Sequence, residues 1–153
     1  MLTKNRELIV KEAVEWLGTP YKGWGRCKSY GADCIGFVAG VFQNCGLIPK
    51  DEVDAAIPKD YSLQIGQHQE DTEYVSGILK FMVEIQEHEI QPGDVIMFKL
   101  RTGRAYAHSA IAVNYPLIIH AIAHGGVTYA DARKHPLLRG SSRRFFTLRD
   151  GST

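Results

Sequence analysis

The chain has 153 residues, 44% of them hydrophobic and 23% charged, the size and balance of one globular domain with a sizeable core. A net charge of +1 gives no reason to expect nucleic acid, and no window is long and apolar enough to span a membrane. The charged start MLTKNRELIV lacks the apolar run of a signal peptide, so the protein is expected in the cytoplasm as synthesised unless a machine exports it.

The elements follow in chain order. Leu8, Ile9, Ala13, Val14, Trp16 and Leu17 mark one face of a helix over residues 5–17, with Gly18 as its stop. A Gly-rich loop, GTPYKGWGRCKSYGAD, carries Tyr21 and Trp24 and leads to a second helix over 34–45. Residues 47–71 hold two prolines, scattered acids and little periodicity, and read as a long irregular connection. Residues 72–83 read as helical again. The period then changes. QPGD is a turn signal, VIMFKL (95–100) a strand and RTGR a tight turn. HSAIAV (108–113), LIIHAIA (117–123), GVTYA (126–130) and RFFTL (144–148) are further strands. Helices first and an antiparallel sheet afterwards predict one α+β domain over residues 1–153. Residues 131–153 hold six Lys or Arg against Asp131 and Asp150, which reads as a solvated positive face.

Three cysteines, Cys27, Cys34 and Cys45, form no C-x-x-C pair, and the odd count argues against disulfide stapling. Cys34 stands apart because it starts a helix rather than lining one. There the positive end of the backbone dipole and the free N–H groups favour thiolate. A cysteine nucleophile needs a base. His68, His88 and His135 lie in polar segments and are expected to face solvent, and His124 reads as a turn residue. His108 and His120 lie on adjacent predicted strands. With a short hairpin at Asn114-Tyr115-Pro116, paired positions sum to about 229–231, so His108 falls opposite residues 121–123, within a couple of residues of His120. That is the logic of a nucleophile, a base and a group that orients the base. The same Cys and two His are a weaker zinc candidate, because their gaps of 74 and 12 residues match no compact ligand spacing.

The ordered motifs TPYKGWG, GADCIGF, a later CG, QPGDVIMF, HSAIAV and IIHA resemble the NlpC-type cell-wall peptidases, papain-like cysteine enzymes that cut peptidoglycan stem peptides. The likeness runs from about residue 8 to residue 148, and is greatest to the subgroup associated with phage tails and gene transfer agents. It implies Cys34 as nucleophile, His108 as base and His120 as orienter, with no metal or organic cofactor. It further implies that Tyr21 borders the substrate and oxyanion region, and that Asp33 contacts the substrate amine or caps the helix. The expected partner is a peptidoglycan peptide or muropeptide cut after γ-D-glutamate, with phage tail proteins as further candidates.

One position departs from the family. The residue after the cysteine is usually a substrate-binding serine; here it is Ile35, expected to present an apolar wall. Arg104, four residues before His108, is the candidate replacement donor for the substrate carboxylate. A tail or assembly protein that keeps the fold mainly for binding is the alternative to a hydrolase. A related thiol acyltransferase is a third reading, disfavoured because Cys34 precedes His108 in the chain.

Overall fold

The computed structural model describes residues 3–57, 73–101, 103 and 106–149. Thr3 opens α1 (Lys4–Glu15) by accepting the Arg6 N–H on its hydroxyl at 3.3 Å, the usual role of a Thr N-cap. Ile9 and Ala13 face inward along α1, and Trp16 follows at its end. Arg6 is buried too. Its guanidinium donates to Asp94 Oδ1 at 2.7 Å, to the Pro92 carbonyl at 3.1 Å and to Thr147 Oγ1 at 2.9 Å. A buried cation is tolerable when it is paired and hydrogen-bonded in this way. The first helix is thereby fastened both to the turn that opens the sheet and to the last strand.

A small ribbon, β1 (Arg26–Cys27) and β2 (Gly31–Ala32), leads into α2 (Cys34–Asn44). Residues Ile35 to Phe42 of α2 are all buried. A helix that is apolar all round must be enclosed, and α2 packs against α1 and the sheet strands. A Cβ at Gly40 would collide with the Trp16 ring, so glycine lets the two helices approach.

Two sequence expectations need correction here. The connection over 47–71 is not wholly irregular: it contains α3 (Lys50–Ala56), whose one buried residue is Val53. Residues 58–71 of that stretch lie outside the described residues. The helix expected over 72–83 ends early, as α4 (Glu73–Leu79), and Met82–Ile85 form strand β3 instead.

The sheet continues with β4 (Val95–Lys99), β5 (His108–Asn114), β6 (Leu117–Ile122), β7 (Gly126–Asp131) and β8 (Ser142–Leu148). Its order is β3-β8-β4-β5-β6-β7, with every neighbouring pair antiparallel. Alternation along the strands gives two buried faces. Val95, Met97, Ile111, Ile119 and Phe146 join the core shared with α1 and α2. Ile96, Phe98, Ala110, Ala112, Ile118 and Phe145 form a second core, covered by Ala132 and Leu138 of the β7–β8 connection. The architecture is α+β, as the change of sequence period predicts.

The basic stretch before and within β8 is partly absorbed by the fold. Arg143 donates to the carbonyls of Ala132 and Leu138 and lies 5.0 Å over the Phe98 ring. Arg144 pairs with Glu84 at 2.7 Å, and Arg149 donates to the Lys80 carbonyl. Arg133, Lys134 and Arg139 are the exposed remainder of the cations over 131–144.

Candidate active site

Asp33 builds the start of α2. Its Oδ1 accepts the Gly36 N–H and its Oδ2 accepts the Trp24 N–H, both at 2.7 Å, and the residue is only 1% exposed. The first bond is an N-cap, satisfying one of the donors a helix start leaves open. The second pins the Gly-rich loop onto the helix. That loop comes so close that a Cβ at Gly36 would run into the Gly25 carbonyl, which accounts for the glycine two residues after the cysteine. Of the two roles implied for Asp33, the structure shows capping.

Cys34 is therefore the first helical residue, partly buried against the core. Its Sγ donates to the Ala107 carbonyl at 3.5 Å, immediately before β5. Its own carbonyl accepts from Ser109 Oγ at 3.2 Å, and Ser109 in turn shares a 2.8 Å hydrogen bond with the Tyr74 hydroxyl. This buried chain sets the height of the helix start against β5. Burial pushes the thiol up to about 12, and the neighbouring Asp33 carboxylate adds to that; hydrogen bonding with Ser109 and Ile35 opposes it. Burial thus works against the thiolate preference expected from the helix start.

His108 and His120 meet on the opposite side of the β5–β6 hairpin from Ser109. Ala110 pairs with His120 and Phe98 with His108, so both imidazoles lie on the face of the second core. His108 Nε2 and His120 Nδ1 are 2.9 Å apart, and the rings stand edge to face. His108 is 9% exposed and His120 fully buried. Burial lowers His108 to about 3, helped by His120 and His135, and lowers His120 to about 4, helped by His135. Both rings are neutral at pH 7. Their bond therefore requires one N–H and one lone pair. If His108 donates through Nε2, its Nδ1 keeps a lone pair, which is what a base requires. Among the described residues no hydrogen bond joins the thiol to either imidazole. The two imidazoles are brought together, while the thiol is tied to the carbonyl of the residue that precedes His108.

Tyr21 is half-buried, joined to Ala32 by an isolated bridge. Burial, followed by Cys34 and Asp33, pushes its phenol up to about 12, so it remains a proton donor at neutral pH. Ile35 needs correction. It is 4% exposed and sits in the main core, so it is a packing residue rather than an apolar wall facing a groove. Arg104 lies outside the described residues, as does His68. Cys27 is exposed and Cys45 partly buried. Among the described residues no group of three His, Cys, Asp or Glu side chains is placed to hold a metal ion.

Sequence reasoning missed Ser109, Tyr74 and His135. Ser109 was detectable, being a polar residue that follows His108 in an otherwise apolar strand. His135 was expected in solvent; its ring instead packs on His120, with centroids 5.4 Å apart. Beside this site, Trp24 and Tyr30 are 59% and 81% exposed. They line a cleft of about 320 Å³ together with Lys22 and Arg26.

A model of the NlpC/P60 family matches residues 18–140. The chain is 29% identical over 125 residues to a probable endopeptidase of Haemophilus influenzae, covering 80% of this chain and 63% of that protein. It is 28% identical over 112 residues to the probable endopeptidase NlpC of Escherichia coli, covering 73% and 58%. The chain thus spans less than two thirds of the length of either relative. Among solved structures, the NlpC/p60 domain of the peptidoglycan hydrolase SagA matches with TM-score 0.58 at 21% identity, over 91% of this chain and 96% of that one. RipD of Mycobacterium tuberculosis, described as a non-catalytic NlpC/p60 domain protein adapted to peptidoglycan binding, matches with TM-score 0.59 at 13% identity, over 95% and 98%. At such identities the structural likeness concerns the fold.

Proposed function

The chain belongs to the NlpC/P60 family, and from that premise we propose that it is a cysteine hydrolase of peptidoglycan stem peptides with Cys34 as nucleophile, His108 as base and His120 as its orienter. The observation that carries this reading is the buried 2.9 Å contact between His108 and His120, with the Cys34 thiol held at the residue preceding His108. Two neutral imidazoles in contact inside a core have little packing advantage over apolar side chains, but they do form a base with a fixed ring.

In the proposed reaction substrate enters beside the start of α2, and the thiol turns from the Ala107 carbonyl to His108 Nδ1. His108 takes the thiol proton as the sulfur bonds to the amide carbon, and the carbonyl π electrons move onto oxygen. In this reading the Cys34 N–H, at a helix start with no intrahelical acceptor, and the Tyr21 hydroxyl receive that charge. Collapse expels the amine, which takes the proton from His108. Water, deprotonated by the same imidazole, then releases the acyl group and regenerates the thiol. His120 holds the ring by accepting from Nε2. Because the resting thiol is protonated, the ion pair forms only as substrate displaces water and closes the geometry.

The preferred bond is the one after γ-D-glutamate. A position in the phage-tail subgroup rests on the motif pattern, Ile35 included. Binding without turnover is the second reading, favoured by the absence of a thiol–imidazole hydrogen bond among the described residues; tail or assembly partners are its natural setting. Incubation with defined muropeptides and mass analysis of the products decides between them. Cleavage abolished by Cys34→Ala supports the hydrolase, whereas retained binding with no product from the wild type supports the alternative.

A further inference from the structure

His120 uses one ring nitrogen on His108. The other, Nε2, is fully buried and has no hydrogen-bond partner among the described residues. A buried polar group left in that state is costly and calls for an explanation. The ring of His135 stands against His120 with its plane turned by 88°, the edge-to-face arrangement in which an N–H or C–H edge meets a π face.

His135 is itself firmly held. Its backbone N–H donates to the Asp131 carbonyl, and its own carbonyl receives the Leu138 and Arg139 N–H groups. Its Nδ1 accepts the Leu137 N–H at 3.1 Å, which fixes the ring and leaves its proton on Nε2. Leu138 is completely buried in the second core, so the whole turn is anchored beneath the sheet.

We propose that His135 is a positioning residue for the proposed reaction, its ring capping the buried Nε2–H of His120 and so holding His120 in the tautomer that accepts from His108. The consequence passes along the line of rings. With its proton on Nε2, His120 offers a lone pair at Nδ1. His108 must then donate through Nε2, and its own lone pair is left on Nδ1 for the Cys34 thiol. The opposite tautomer of His120 would place a proton on His108 Nδ1 and leave no acceptor there. His135 touches neither thiol nor substrate in this scheme and acts entirely through His120.

This inference rests on the assignment of His108 and His120, so its test must read tautomers apart from turnover. Ring ¹H–¹⁵N correlation spectra of the Cys34→Ala protein report which nitrogen of each histidine carries the proton. The expected result is His120 protonated on Nε2 when His135 is present, and a mixture of tautomers in His135→Ala. His135→Phe keeps a π face and should restore the single tautomer. In the proteins with Cys34 intact, His135→Ala should lower kcat on a muropeptide roughly three- to tenfold with KM unchanged, and His135→Phe should recover most of it. His120 protonated on Nδ1 in the wild type overturns the proposal, as does a single unchanged tautomer in His135→Ala. The expected spectra in a protein without turnover would support the His135 assignment while refuting the hydrolase reading, so the two failures are separable.

Discussion

Replacing Asp33 by Asn removes one charge and almost no volume, so its consequences can be followed atom by atom. The Asn oxygen can keep the 2.7 Å bond from the Gly36 N–H, and Asn is as good an N-cap as Asp. Its amide NH₂ then faces the Trp24 N–H, donor against donor, where the second 2.7 Å bond stood. Hydrogen bonds to charged groups contribute about 1.5–3 kcal/mol, so the variant should lose roughly that much stability. For a chain of this size that lowers Tm by roughly 3–12 °C. A second effect runs the other way at the thiol. The Asp33 carboxylate raises the Cys34 pKa, so its removal should bring the thiol down from about 12 and speed alkylation at a given pH. Thermal unfolding and the pH dependence of iodoacetamide labelling, the latter with Cys27 and Cys45 changed to serine, read the two effects independently. Unchanged stability would refute the account of Asp33 as the pin between loop and helix. An unchanged or slower-reacting thiol would refute the electrostatic half.

His108→Ala should lower turnover by about 10²–10⁴-fold, while His120→Asn, which still accepts a hydrogen bond, should cost less; steady-state rates on one muropeptide compare them. Both histidines hold pKa values below the ordinary 6.5, at about 3 and 4, so the unfolded chain binds more protons between those limits. Stability should therefore be fully present above about pH 6.5 and fall on acidification towards pH 3–4. The urea midpoint should track that fall, and a His108→Phe/His120→Phe protein should show a flatter profile. Ile35→Ser should act on the core, costing at least about 2 kcal/mol by cavity formation, with no change in the preference for a free over an amidated substrate carboxylate. A switch in that preference would restore a substrate-facing role to residue 35.

Much of the fold was legible because its elements carry strong periods. The apolar turns of α1 and α2 and the alternation in β4 to β8 follow directly from residue order, and the turn at Asn114 to Pro116 predicted the pairing sum. The observed sum is 230 until a bulge near Asn114 shifts it. What escaped had weak local signals. Helix α3 is seven residues long with one buried side chain, too little for a period to register. Met82–Ile85 continues the apolar run of α4 and becomes a strand only because β8 lies beside it. At the site, residue types and order pointed to Cys34, His108 and His120, but the protonation state of the thiol depends on enclosure by other elements, which no single stretch encodes. His135 sits in the polar run ARKHPLLRG, where composition points to solvent. Only the burial of Leu138 beneath the sheet turns that loop inward.

The place of β8 bears on when the domain becomes competent during its synthesis. The strand inserts between β3 and β4, and through Thr147 it also receives Arg6 from α1, so an early-made segment and a late-made one close on each other. The meander from β4 to β7 needs only neighbouring sequence and can form as it emerges. β3 must wait, along with the far edge of β4 and the buried Arg6 cation, until residues 142–148 have left the ribosome. A nascent chain short of that point exposes two open strand edges and a cation lacking one of its three partners, the condition in which partly made domains associate wrongly. Chains truncated before Ser142 should therefore be protease-sensitive around β3 and α1, and extending them through Leu148 should remove the sensitivity. Maturation of the thiol site would then be a nearly all-or-none event tied to the arrival of β8.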